Sequence, residues 1–394
     1  MKTKSRNLVL LILFLAGCGN PPATPSLPAS LTPVLYDPAT PTMTLTPELT
    51  PTATPGPRFT QQCFQVIDQE ISLKDMASGT ILLYIGPGDR NVLKDIQTGI
   101  EYKPPARSKD SSWDSAPIIS AQISPDETML AEVESVDNTQ STKSDYILRV
   151  FDARAKVLSR VSLNRQDLDL SSVYWLNNER LLIGTEKYST VLVVNPFTGE
   201  QQVVSNELPD LFTYYSPGLI WRVVYSPDLD RVVYYKVGQE LVVRNVVNNQ
   251  ILWQGKFFQR GWPAWSPDGQ EVAVIGGINN TQLYLIDHLG QAKPLLREDQ
   301  HHNTFLPFWS PDGKRLIFWD NDSLMVYDRQ IDWVFDTCIS FPGPDEPVWS
   351  PDSQQFVVDR TSAQPLLVDI QKKVVYKTNE IPNAYMVGWM NSLP

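Results

Sequence analysis

The sequence predicts an all-β fold built from a repeated four-stranded unit, and three observations carry that expectation. The first is a motif that returns along the chain: Trp265-Ser266-Pro267-Asp268-Gly269, Trp309-Ser310-Pro311-Asp312-Gly313 and Trp349-Ser350-Pro351-Asp352-Ser353. Weaker copies are Tyr225-Ser226-Pro227-Asp228 and Ile123-Ser124-Pro125-Asp126, and degenerate ones begin at Trp175 and Trp389. The second is spacing. The first residues of the copies stand at 123, 175, 225, 265, 309, 349 and 389, a step of about 40 to 50 residues, as a four-stranded propeller blade needs. The third is the filling between copies: β-branched and aromatic runs of four to six residues, with no helical period sustained over three turns.

Each unit reads in the same order. A strand arrives at the aromatic residue. Ser-Pro-Asp-Gly then reverses the chain: proline presets φ, aspartate bonds back to the local backbone, and glycine takes the position with positive φ. On this account Asp126, Asp228, Asp268, Asp312 and Asp352 are turn residues, not a repeated acid–base or calcium site. A second strand follows, as in Arg315-Leu316-Ile317-Phe318-Trp319, and then a third ending in aspartate, as in Ser323-Leu324-Met325-Val326-Tyr327-Asp328. A fourth, more polar strand closes the unit.

Seven copies predict a seven-bladed β-propeller of four-stranded antiparallel blades over residues 59–394. The first blade, from Thr80, has no motif before it, and the last motif has no room for a blade after it. The C-terminal strand around Tyr385 to Trp389 is therefore expected to supply the innermost strand of the first blade. That closure removes the exposed edge an open array would leave. Six or eight blades would follow if 117–168 or 59–78 were read differently.

These motifs resemble the TolB-like propeller repeat, a relative of the WD-repeat type: an aromatic residue, Ser-Pro-Asp-Gly, an apolar strand, then an apolar strand ending in Asp. Asn195-Pro196-Phe197-Thr198-Gly199-Glu200 and Asp95-Ile96-Gln97-Thr98-Gly99 match the hairpin that follows the third strand in that family. The resemblance covers residues 79–394. It implies mostly protein binding in the cell envelope, or attachment to a peptidase.

Ahead of the repeats the sequence carries an address. Met1 to Asn7 is basic, Leu8 to Leu15 is uninterrupted and apolar, and Leu15-Ala16-Gly17-Cys18 looks like a bacterial lipobox. Residues 1–17 are expected to be a signal peptide and Cys18 the lipidated residue, with more than one acyl chain supplying stable anchoring. Residues 18–58 then form a linker. Pro21 to Pro57 holds eleven prolines and nine threonines, no apolar periodicity, and only Asp37 and Glu48 as charges. The expected location is the extracytoplasmic side of a bacterial membrane.

The formal net charge of −11 argues against nucleic acid as partner, because phosphate binding needs a basic footprint. No Gly-x-Ser-x-Gly, phosphate loop or cysteine-nucleophile signature is present. His288, His301 and His302 are the only histidines, too few for a closed zinc site, so neither a metal nor a cofactor is expected. Cys63 and Cys338 remain once Cys18 is lipidated; an exported compartment permits a disulfide, and two buried thiols are the alternative. Loops leading into inner strands place Arg260, Trp262, His301, His302 and Tyr385 as candidate channel-face binding residues. The expectation is a non-enzymatic, membrane-anchored binding module for an envelope or extracellular protein. The alternatives are a propeller that binds or cleaves carbohydrate at the channel mouth, and an assembly scaffold like the pyrroloquinoline-quinone-type propeller lipoproteins.

Overall fold

A computed structural model describes residues 56–75, 80–86, 90–105, 121–136, 145–165, 167–185, 190–209, 211, 223–237, 240–256, 263–276, 281–297, 302–340, 347–358, 365–378 and 386–391. Residues 1–17, expected to be a signal peptide, Cys18 and nearly all of the expected linker, 18–58, lie outside them. Among the described residues the chain is all-β apart from one 3-10 turn, Leu73–Asp75. Two strands open it, β1 (Arg58–Gln61) and β2 (Gln65–Glu70). Sheet I holds β3 (Thr80–Gly86), β4 (Arg90–Asp95) and β5 (Glu101–Tyr102). Sheet II holds β6 (Ala121–Ile123), β7 (Met129–Val136), β8 (Asp145–Asp152) and β9 (Val157–Leu163). Sheet III holds β10 (Leu168–Asn177), β11 (Arg180–Thr185), β12 (Thr190–Val194) and β13 (Gln201–Ser205). Sheet IV holds β14 (Val224–Tyr225), β15 (Arg231–Lys236), β16 (Glu240–Asn245) and β17 (Ile251–Lys256). Sheet V holds β18 (Ala264–Trp265), β19 (Glu271–Gly276), β20 (Gln282–Asp287) and β21 (Ala292–Pro294). Sheet VI holds β22 (Thr304–Trp309), β23 (Arg315–Asp320), β24 (Ser323–Asp328) and β25 (Trp333–Ser340). Sheet VII holds β26 (Pro347–Trp349), β27 (Gln355–Val358), β28 (Leu366–Asp369) and β29 (Val374–Lys377). The last strand, β30 (Met386–Asn391), returns to pair antiparallel with β3, Leu82 opposite Trp389, so sheet I draws on both ends of the repeat region.

The four blade strands of each sheet pair antiparallel, and the second and third are buried through most of their length, as in Arg231–Tyr235 and Leu316–Asp320. Such strands are buried on both faces because a neighbouring sheet packs on each. Leu93 and Met390 of sheet I meet Leu130 and Phe151 of sheet II. Val133 and Leu148 then meet Leu181 and Leu192 of sheet III, and Leu182 and Val193 meet Val232 and Val242 of sheet IV. Sheets IV, V and VI share one cluster through Val243, Ile275 and Phe318, while Trp319 and Val326 of sheet VI meet Phe356 and Val368 of sheet VII. Val357 and Leu367 of sheet VII pack with Ile96 and Trp389 of sheet I. Burial of this kind contributes about 1.5–3 kcal/mol per large apolar side chain, and it is the principal glue between sheets.

A second, polar tie repeats between sheets. The indole N–H of Trp175 donates to Gln122 O at 3.0 Å, that of Trp265 to Val224 O at 3.1 Å, and that of Trp309 to Ala264 O at 3.0 Å. Each acceptor is the residue just before the motif of the preceding sheet. Trp349 and Trp389 hold the equivalent positions with indole nitrogens that are buried and have no hydrogen-bond partner among the described residues.

The structure adds to the expected architecture at residues 58–70. These belong to no blade of their own. β1 pairs parallel with β25, Phe59 opposite Val334, and β2 pairs parallel with β29, Val66 opposite Val375. Sheets VI and VII therefore have five strands, not four. The crossing between them carries Cys63, which is disulfide-bonded to Cys338 of β25 with Cα atoms 4.8 Å apart.

Candidate functional site

In a four-stranded meander, the first–second and third–fourth connections lie at one end, and the second–third and sheet-to-sheet connections at the other. The two ends are built very differently. At the hairpin end every motif serine does the same work. Ser124, Ser226, Ser266, Ser310 and Ser350 each donate Oγ–H to the carboxylate two residues on, at 2.5–2.7 Å. The same oxygens accept the backbone N–H five residues on, at 2.9–3.0 Å. Each aspartate also accepts the N–H two residues beyond it, as Asp268 does from Gln270 at 3.1 Å. Burial pushes the carboxyls of Asp228, Asp268 and Asp312 up, but these hydrogen bonds and the nearby Arg231, Arg329 and Lys314 outweigh it and hold all three below the ordinary carboxylate range.

The position of positive φ is glycine at Gly269 and Gly313, both at 67°. It is Glu127 at 60°, Leu229 at 67° and Ser353 at 57° in the other copies. Glu127 is the exception in charge as well as in backbone. It is buried, and burial followed by the neighbouring carboxylates of Asp352 and Asp126 pushes its carboxyl up to about 8.

The third–fourth hairpins repeat a second device. The residue that ends the third strand, or in sheet III directly follows it, is Asp or Asn and caps its own turn: Asp95 Oδ1 accepts from Gln97 N at 2.8 Å, Asn195 Oδ1 from Phe197 N at 2.9 Å, and Asp287 Oδ1 from Leu289 N at 2.9 Å. Successive turns also tie to one another: Asp126 N donates to Asn178 Oδ1 and Asp312 N to Ser353 Oγ, both at 3.1 Å.

The opposite end carries buried charge where the strands approach the connections. Between sheets I and II, Arg149 on β8 faces Glu132 at 2.9 Å and Glu134 at 3.3 Å, both on β7. Asn91 on β4 donates to Glu132, and Arg149 Nη1 donates to Pro105 O at 3.1 Å. All four side chains are at least nine-tenths buried. One arginine thus faces two carboxylates, and Glu134 Oε1 and Asn91 Oδ1 have no hydrogen-bond partner among the described residues. Near sheet VI the same level holds a different group. His302 Nδ1 lies 2.7 Å from Asp320 Oδ2, and its Nε2 lies 2.7 Å from Arg297 O. Asn303 N and Thr304 Oγ1 complete the donors around Asp320, at 3.1 and 3.5 Å.

Of the five candidate channel-face residues, Arg260, Trp262, His301 and Tyr385 lie outside the described residues. His302 is buried, 4% exposed, and both its ring nitrogens are engaged internally, bracing the entry to β22. The Glu132–Arg149–Glu134 group gave no signal in the sequence. Its Glu-Val-Glu alternation reads as a solvated strand face, and only packing against Asn91 of another sheet reveals it as interior. Among the described residues no cluster of three or more His, Cys, Asp or Glu forms a metal site.

No protein-family description matches the sequence. No curated protein matches it either. Solved structures of propeller-like fold are similar to it. The Pseudomonas aeruginosa periplasmic gluconolactonase PpgL has 16% identity, a TM-score of 0.48, and covers 80% of this chain and 99% of its own. Hsv2 of Kluyveromyces marxianus has 12% identity and a TM-score of 0.44 over 65% of this chain and 73% of its own. Hsv2 of Kluyveromyces lactis has 14% identity and a TM-score of 0.43 over 64% and 73%. The expectation that the chain is not an enzyme is corrected by this comparison. One of these similar structures is a gluconolactonase, and fold by itself does not decide whether a chain is catalytic.

Proposed function

We propose that this chain is a membrane-anchored lipoprotein, lipidated at Cys18 after loss of residues 1–17, that presents a TolB-like propeller as a binding module for another protein of the cell envelope. The propeller has seven blades, and β30 seals the ring by completing the first. Sequential packing of sheets I to VII and back to sheet I supports that count and that closure.

The observation that carries the binding reading is the asymmetry of the two ends. Short, self-capped turns pin the hairpin end. The long connections, such as 103–120 and 206–223 between sheets and 137–144 within one, all leave from the other. Recognition residues are disproportionately found on loops held by a rigid scaffold. The Pro/Thr-rich segment would hold that surface away from the bilayer, and tethering would raise its local concentration for a partner.

The test is a crosslinking pull-down from intact native cells, read by mass spectrometry, beside a Cys18→Ala control that releases the chain from its membrane. One stoichiometric protein partner, captured only with the anchored form, is the expected result. Wall glycan enriched without any protein partner overturns the reading.

A further inference from the structure

The outer gap between sheets VI and VII holds a cavity of about 590 Å³. Sheets that fan outward from a common centre leave a wedge between them, widest at the rim. Here β1 and β2 add a fifth strand to each flank, and the crossing segment with Cys63 roofs the wedge. The space left beneath is at the hairpin end, away from the long connections of the proposed partner surface. Its volume falls within the range of small-molecule sites.

The lining has two characters. Trp333 and Phe335 stand two apart on β25, so they share one face; their rings lie 6.0 Å apart at 40°, and both are only half-buried. Around them are the amides of Gln62 and Gln371 and the charges of Arg315, Asp328 and Lys373. The balance is positive, on a chain whose net charge is −11. Arg315 is held in place by donating to Ser353 O at 2.9 Å and reaches Asp328 only at 3.9 Å. Lys372 next door pairs with Asp369, whereas Lys373 makes no ion pair among the described residues. Arg58 lies over the Trp333 ring at 5.8 Å, adding a further cation at the rim.

Half-buried aromatic rings lining the cavity, side-chain amides and a net positive lining together suit one chemical class. A pyranose ring offers C–H bonds to stack on an aromatic face and hydroxyls for amides and Asp328 to bond. A carboxylate on that ring offers a counter-charge to Lys373 and a second, closer one to Arg315, whose Asp328 lies at 3.9 Å. We propose that this groove is a binding site for an acidic saccharide, with a sugar ring on Trp333 and its carboxylate toward Arg315 and Lys373. The inference is independent of the protein-binding reading, since it uses the other end of the sheets.

The test is isothermal titration of the full chain with digalacturonic acid, and in parallel with the neutral disaccharide cellobiose. Saturable binding of the diuronate is expected, at least about tenfold tighter than cellobiose and weakened by added salt. Trp333→Ala and Lys373→Glu are each expected to weaken it about tenfold or more. Lys373 sits on an exposed hairpin, so its substitution tests the site even if Trp333→Ala lowers the melting temperature. No saturable heat with the diuronate, equal affinity for cellobiose, or unchanged affinity in Lys373→Glu overturns the proposal.

Discussion

Glu134 and Asp320 occupy the same point of the repeat, each ten residues beyond its motif serine, yet their surroundings differ in kind. Asp320 collects donors from His302, Asn303 and Thr304, and each contact has a place in the local backbone path. Glu134 shares a single arginine with Glu132, and one of its oxygens has no hydrogen-bond partner. A buried charge supported on all sides is a structural brace. A buried charge left partly unanswered is a cost that the surrounding packing has to offset. The same position therefore stabilises one sheet and burdens another.

The contrast can be broken most forcefully at Arg149. Replacing it by Met leaves two buried carboxylates with no cation, and a loss of about 3–5 kcal/mol in denaturant-unfolding stability is expected. Glu134→Gln removes one of the two competing charges and should be near neutral or stabilising in the same assay. Asp320→Ala comes next: it strands His302 Nδ1 and the Asn303 N–H, while Thr304 keeps its bond to Thr281 O, and a loss of about 3 kcal/mol is expected.

Glu127 sharpens the comparison through pH. Its carboxyl titrates at about 8 in the fold, against 4.5 for an ordinary glutamate. Below the lower value it is neutral in both states and carries no penalty. As pH rises through the window the unfolded chain releases the proton and the folded chain keeps it, so stability falls until about pH 8 and then levels off. Glu127→Gly should flatten that slope and, by also relieving the left-handed backbone, raise stability at pH 8.5 by on the order of 2 kcal/mol. Equal slopes in melting temperature against pH for the two proteins would refute this.

The smallest effect is expected at the tryptophans. Trp309→Phe loses the bond to Ala264 O and should cost about 1 kcal/mol more than Trp349→Phe, whose indole N–H has no partner to lose.

How much of this was legible beforehand follows from the range of the interactions. The serine turns were, because Ser310, Asp312 and Gly313 build their hydrogen bonds within five residues of one another. The return of β30 to β3 was expected as well, because Trp389 repeats a motif that has no blade after it. The strap was not, because Arg58–Glu70 takes its register from strands near residues 333–340 and 374–377, and nothing local signals a parallel partner so far along the chain. The polar groups were hidden for the same reason. Glu132 looks solvated until Asn91 of another sheet closes on it, and His302 looks like a loop residue until Asp320 and the Arg297 carbonyl claim its ring.

The strap also decides where mechanical load enters. Tension applied upstream of Arg58 runs along β1, parallel to β25, so the hydrogen bonds between them would be sheared together, not peeled one at a time. Beyond Gln61 the force meets the covalent link from Cys63 to Cys338 and passes into sheet VI. Sheet I, where β3 pairs with β30, lies outside that load path, so a pull entering at Arg58 reaches sheet VI before it reaches the pairing of the two ends of the repeat region.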